Sequence, residues 1–236
     1  MPEVERPPDP LTVLRDGDLE IRGRLPWASN ATFVVDLCLG DHAGAGVYKP
    51  HRGERPLWDF PPNLGRRETA AFELSEALGW GLVPPTVVRD GPLGPGSVQW
   101  FVEADFEQHY FTLLEDEAHH PTLKAIAAFD LIANNTDRKS GHCLLGLDGR
   151  IYAIDNGLCF HEEFKLRTVI WDFGGEPIPE DLVPAIARLA LDLPRPLAQH
   201  LTATEAEAVM RRASALVRNP VFPVDHTGRR YPWPLV

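Results

Sequence analysis

A chain of 236 residues with 44% hydrophobic positions can bury one large core or two smaller ones without disulfides or metal staples. Its 23 Lys and Arg against 34 Asp and Glu leave a formal charge of −11, which argues against a broad nucleic-acid or anionic-membrane footprint but not against a local basic pocket for a phosphate. Cys38, Cys143 and Cys159 have no paired spacing and read as small core residues in a reducing compartment.

The first ten residues, acidic and Pro-rich, read as a disordered leader with neither a signal peptide nor an apolar span, so a cytoplasmic location is expected. Strands are predicted over 19–25 and 33–39, followed by a Gly-rich turn over 40–46 and a short strand ending at Lys49. The stretch 50–65 is broken by Pro and Gly. A helix over 66–78 stops at Gly79 and Gly81 and turns Ala71, Phe72, Leu74, Ser75 and Leu78 inward. By helical phase Glu68 flanks that stripe, whereas Glu73 faces solvent. Strands over 83–88 and 97–102 come next.

The second half reads as mainly helical. A helix over 122–133 runs into the polar stretch Asn134-Asn135-Thr136-Asp137-Arg138-Lys139, and a hairpin over 143–154 turns at Asp148-Gly149. Two further helical stretches follow Pro179, the second opening on a capping box at Thr204 and Glu207. Strands first and helices afterwards predict an α+β fold with two lobes: a small antiparallel-sheet lobe over 11–102 and a mainly helical lobe over 103–236.

If the Asp148-Gly149 loop has two residues, Leu147 faces Arg150, Cys143 faces Ile154 and His142 faces Asp155. His142 and Asp155 then emerge side by side, with Asp137 five residues upstream, a grouping that suits a hard cation carrying phosphates. Each of these residues alone fits a polar hairpin flank; their combination points to a site.

The stretch 134–139 resembles the catalytic loop of the phosphatidylinositol 3-/4-kinase-related and HipA-like branches of the kinase superfamily, and Ile154-Asp155-Asn156-Gly157 resembles their metal-binding segment. The resemblance covers about 19–175, with its motifs in the family's order. It implies a protein-kinase-like fold and transfer of the ATP γ-phosphate to a hydroxyl, with Asp137 orienting or deprotonating the acceptor and Asp155 holding Mg²⁺. His142 stands where these kinases place an Asn as second metal ligand, and an imidazole there favours softer cations than Mg²⁺, bringing in Mn²⁺. Tyr48-Lys49-Pro50 resembles their nucleotide-binding lysine segment, with Glu68 as the partner of Lys49. Ser29 and Asn30 would offer donors to the phosphates, and Gln99, Trp100, Phe101 and Val102 would form the adenine hinge.

A literal Asp172-Phe173-Gly174 is set aside because no hairpin links it to Asp137. The segment 161–175 is expected to shape the acceptor site. The acceptor is left open among a protein hydroxyl, an inositol-type small molecule and a lipid headgroup, the last being least favoured by the acidic charge. The alternatives are a pseudokinase scaffold, a nucleotidyl transferase using the same residues, and metal-dependent hydrolysis without nucleotide.

Overall fold

The Asp9 carboxylate accepts the N–H groups of Leu11 at 2.7 Å and Thr12 at 3.3 Å, and with Pro10 at the first helical position it starts α1 (Pro10–Asp16). The structure, a computed structural model, describes residues 9–26, 30–57 and 60–235. Ser29 and most of the expected leader lie outside them. Helix α1, which the sequence reading left out, is too short to show a helical period.

β1 (Asp18–Arg24), β2 (Phe33–Leu39) and β3 (His42–Pro50) are followed by α2 (Leu64–Leu78), β4 (Thr86–Gly91) and β5 (Gly94–Trp100). The five strands form one antiparallel sheet in the order β1-β2-β3-β5-β4. Val13 and Leu14 of α1 pack with Val35, Leu37, Tyr48, Val87 and Val98 of the sheet. Arg89 Nη1 fastens α1 there, donating to the carbonyls of Leu14 at 2.9 Å and Gly17 at 2.7 Å.

Two expectations in this region need correction. The Gly-rich turn is only Gly40-Asp41, with Gly40 at φ 58°, and residues 42–46 belong to β3. Its glycines serve close approach: a Cβ at Gly44 would strike the Trp100 ring, with Cζ3 at 2.9 Å. β4 starts at Thr86 rather than at 83 because Pro84 and Pro85 have no N–H to give a ladder.

The remaining elements are β6 (Ala104–Asp105), α3 (Tyr110–Leu113), α4 (His120–Ala133), β7 (Cys143–Gly146), β8 (Ile151–Ala153), α5 (Val183–Leu191), α6 (Arg195–Ala198) and α7 (Ala203–Arg218). β6, β7 and β8 make a small antiparallel sheet. The capping box of α7 is Thr202 with Glu205, not Thr204 with Glu207: Thr202 Oγ1 accepts the Glu205 N–H at 3.3 Å, and Glu205 Oε2 accepts the Thr202 N–H at 2.9 Å. Glu205 also pairs with the buried guanidinium of Arg67 on α2, a partner that fixes which box forms. The inward stripe of α2 is buried as expected, but Glu73 is half-buried rather than solvent-facing.

The α+β class holds, with an antiparallel sheet in the N-terminal region and a mainly helical C-terminal region. By contacts the chain divides into two compact units, one reaching to Gly65 and including Pro84–Val102, the other made of Arg66–Val83 and Glu103–Val236. From Arg66 onward α2 therefore belongs with the second unit. Among the described residues no helix is long and apolar enough to cross a membrane.

Gly44→Ala should lower the unfolding free energy by about 1–3 kcal/mol in urea titration, since its Cβ has no room beside Trp100. Gly44→Ala combined with Trp100→Leu should recover part of that loss.

Candidate active site

α4 is apolar almost throughout, yet it carries Asp130 at 0% exposure. A buried carboxylate needs a partner, and the loop after the helix supplies one in Arg138, also at 0%. Arg138 Nε lies 3.0 Å from Asp130 Oδ2, and Nη2 lies 2.9 Å from Oδ1. Its remaining N–H groups reach the Ile154 carbonyl at 2.7 Å, the His142 carbonyl at 3.4 Å and Asn156 Oδ1 at 2.6 Å. One planar fork thus joins α4, the loop after it and both ends of the β7–β8 hairpin. Burial pushes the Asp130 carboxyl up, against the downward pull of Arg138.

The turn that delivers Asp137 is fixed residue by residue. Asn134 adopts a left-handed conformation (φ 56°) and closes α4. Its Nδ2 donates to the carbonyls of His161 at 2.9 Å and Glu163 at 2.7 Å. Asn135 donates to Asp130 Oδ1 at 3.2 Å and accepts the Asp137 N–H at 2.9 Å. Alongside, 165–169 runs parallel to the loop: the Arg167 N–H reaches the Asn135 carbonyl at 2.9 Å, and the Val169 N–H reaches that of Arg138 at 3.0 Å.

The β7–β8 register differs by one residue from the expected pairing. Cys143 faces Ala153, Leu144 faces Tyr152 and Leu145 faces Ile151. Three residues, not two, cross the turn: the Gly149 N–H returns to the Gly146 carbonyl at 2.9 Å, and Gly149 at φ 80° lets the chain pair Gly146 with Arg150. Ile154 then faces His142, its N–H 3.0 Å from the His142 carbonyl. Asp155 still meets His142 because its own backbone is left-handed (φ 57°), leaving Oδ2 3.4 Å from His142 Nε2. A non-glycine residue in that region is costly and marks a conformation imposed by its surroundings. Glu68, 3% exposed, holds the next residue: its Oε2 accepts the Asn156 N–H at 3.0 Å.

Burial pushes the Asp137 carboxyl up to about 6; Lys139 Nζ, 3.5 Å away, pulls it down, and the nearby Asp155 charge pushes it further up. The Asp155 side chain is 52% exposed and open to a ligand. Among the described residues no group of three or more His, Cys, Asp or Glu could cage a metal by itself. Half-exposed Asp155 next to Asp137 fits instead a hard cation that takes its other ligands from phosphates and water.

The second unit therefore brings together Glu68, Asp137, His142 and Asp155. In the first, Lys49 sits on β3 opposite Ser97 of β5, two positions from the Val47–Gln99 pair. Gln99 Nε2 donates to Thr86 Oγ1 at 2.9 Å. The Trp100 and Phe101 N–H groups are taken by the carbonyls of Pro85 at 2.8 Å and Ala45 at 3.0 Å. Asn30 Oδ1 accepts the Arg55 N–H at 3.0 Å. Asp172 is structural, accepting the Tyr110 hydroxyl at 2.6 Å, while Phe173 is buried against His120 and Phe222.

Sequence reasoning passed over Asp130 and gave Asn156, though part of the Asp155 segment, no role; these are the two side chains that share the Arg138 fork. The signal for Asp130 is its place in Ala125-Ile126-Ala127-Ala128-Phe129-Asp130-Leu131-Ile132-Ala133, where a lone carboxylate on an apolar helix requires a cation. Asn156 carries no comparable signal.

With this geometry in place, solved structures of similar shape show what the fold is. The Golgi casein kinase with Mn/ADP bound matches at a TM-score of 0.58 and 15% identity, over 96% of this chain and 79% of that one. Hydra Fam20 with sugar matches at 0.53 and 14%, over 88% and 87%. The Helicobacter pylori proinflammatory kinase CtkA matches at 0.53 and 11%, over 89% and 94%. The fold is that of the atypical kinases. No protein-family model matches the chain. It is 42% identical to Protein Rv2133c of Mycobacterium tuberculosis over 264 aligned positions, covering 96% of this chain and 95% of that protein, and it belongs to the same family.

Arg138→Lys should cost about 3–5 kcal/mol in chemical denaturation, because an ammonium cannot satisfy Asp130, Ile154 and Asn156 together. Asp130→Asn with Arg138→Met should recover part of that loss by leaving no unpaired buried charge, the Ile154 carbonyl and Asn156 Oδ1 still lacking their donor. Equal stability of Arg138→Lys and wild type would contradict the clamp.

Proposed function

We propose that this chain is an ATP- and divalent-cation-dependent phosphotransferase that moves the γ-phosphate onto a hydroxyl of a protein or small molecule. The observation carrying the reading is the Arg138 fork, which brings the carboxylates of Asp137 and Asp155 close enough for one to raise the pKa of the other. The neighbour of like fold solved with Mn/ADP supports the choice of ligands. Grouping with the phosphatidylinositol 3-/4-kinase-related and HipA-like branches rests on the order of the motifs.

In this reading Asp137 accepts the acceptor proton as the hydroxyl oxygen bonds to the γ-phosphorus and ADP leaves. A carboxyl pushed up to about 6 is a better base near neutrality than an ordinary aspartate. Asp155 would hold the cation, which would supply positive charge against the phosphates. Lys49 supplies positive charge to the phosphates, with Ser29 and Asn30 as further donors. Adenine recognition is assigned to the hinge Gln99, Trp100, Phe101 and Val102, in which the Trp100 and Phe101 N–H groups are already donated.

Incubation with ATP labelled at the α- or the γ-position tests the chemistry. Only γ-label should pass to acceptor or water; transfer of α-label would replace this reading with nucleotidyl transfer. Turnover should fall at low pH, because protonated Asp137 cannot act as base. Asp137→Asn should cost roughly 10²–10⁴ in turnover. A raised carboxyl pKa contributes stability below its ordinary value that is lost as pH rises through about 6. Asp137→Asn should therefore raise stability at pH 8 by roughly 1–2 kcal/mol, with the gain shrinking below pH 6 in pH-dependent denaturation.

A further inference from the structure

We infer that His142 serves this site as an N–H donor that positions Asp155, not as a cation ligand, and that the site takes a single divalent cation. The inference rests on the reading above and assigns a role to a position where the resemblance expects a second metal ligand.

Each ring nitrogen has a neighbour at a known distance. Nδ1 accepts the backbone N–H of Lys139 at 3.3 Å, so its lone pair is in use. In the neutral ring the proton then sits on Nε2, the atom 3.4 Å from Asp155 Oδ2. A cation on Nε2 would need that lone pair and would drive the proton to Nδ1, setting two donors against each other. An unsatisfied buried N–H costs about 1–3 kcal/mol, and the His142 side chain is only 14% exposed. Turning the ring over would lose the Lys139 bond. The His142 backbone is pinned as well, since its carbonyl accepts from the Ile154 N–H at 3.0 Å and Arg138 Nη1 at 3.4 Å.

An Nε2–H 3.4 Å from a carboxylate oxygen restrains where that carboxylate points. Asp155 needs such support because its φ of 57° is an imposed conformation. Other groups fix the chain just beyond it: Glu68 takes the Asn156 N–H at 3.0 Å, while Asn156 Nδ2 reaches the Ala153 carbonyl at 3.0 Å. His142 acts on the carboxylate itself. With position 142 a donor, the second of the two ligand positions that the related kinases use is closed to a cation.

Two measurements test this. Long-range ¹H–¹⁵N correlation on the ¹⁵N-labelled protein should find the His142 proton on Nε2, before and after addition of Mg²⁺ with the non-hydrolysable analogue AMP-PNP. A proton on Nδ1 in either state overturns the inference. Titration with Mn²⁺ and AMP-PNP, followed by electron paramagnetic resonance, should give one bound Mn²⁺ per wild-type chain and two per His142→Asn chain, whose amide oxygen can ligate. Two Mn²⁺ in the wild type would overturn the role of His142 while leaving the ATP reading intact. No Mn²⁺ bound to folded wild type would overturn the ATP reading, and the single-cation claim with it. The wild-type spectrum decides the tautomer even if His142→Asn fails to fold.

Discussion

The candidate site hangs on a guanidinium with no access to water. Arg138 and Asp130 are both fully buried, and removing two charges from solvent costs several kcal/mol per ion before their attraction is counted. Such a pair is a weak source of stability, but it demands its geometry. Every N–H of the fork needs an acceptor in plane, and those acceptors come from α4, from Ile154 and from Asn156. If any one segment shifts, a buried polar group loses its partner. The Arg138 backbone adds a further constraint, bonded on both sides to the parallel segment at Arg167 and Val169.

The backbones of Asp137 and Asp155 are held in place by this clamp. Asp137 immediately precedes Arg138, and Asp155 lies between Ile154 and Asn156, both of which Arg138 grips. Neither carboxylate takes part in the fork itself, while the backbones beside it are held. Asp137 is the more buried of the two and the one pushed toward neutrality, while Asp155 is the more open. Two carboxyl groups in different environments suit the division of labour between a proton acceptor and a cation holder.

Much of the fold could be read from patterns that depend on local chemistry. The buried stripe of α2 follows its 3.6-residue period, and β2 matches its alternation of side chains. Misjudged elements are those where a distant partner decides. Gly44 and Gly46 look like a turn but lie in a strand crossed by Trp100, a neighbour invisible along the chain. Thr204 with Glu207 is as good a capping box in sequence as Thr202 with Glu205; the guanidinium of Arg67, more than a hundred residues away, selects the latter. In the site itself, the meeting of His142 and Asp155 was foreseen through a hairpin register that proved one residue off. The left-handed turn at Asp155 restored the contact, and no residue type announces such a turn at an aspartate.

The central claim is that Asp155 holds a divalent cation carrying ATP. Calorimetric titration of ATP in the presence of Mg²⁺ or Mn²⁺, and with neither, on wild type and Asp155→Ala, tests it most directly. The account predicts cation-dependent binding to wild type that is lost in Asp155→Ala, with the variant still folded by circular dichroism. Binding that ignores the cation or survives in Asp155→Ala, or no binding by a folded wild type, would contradict it.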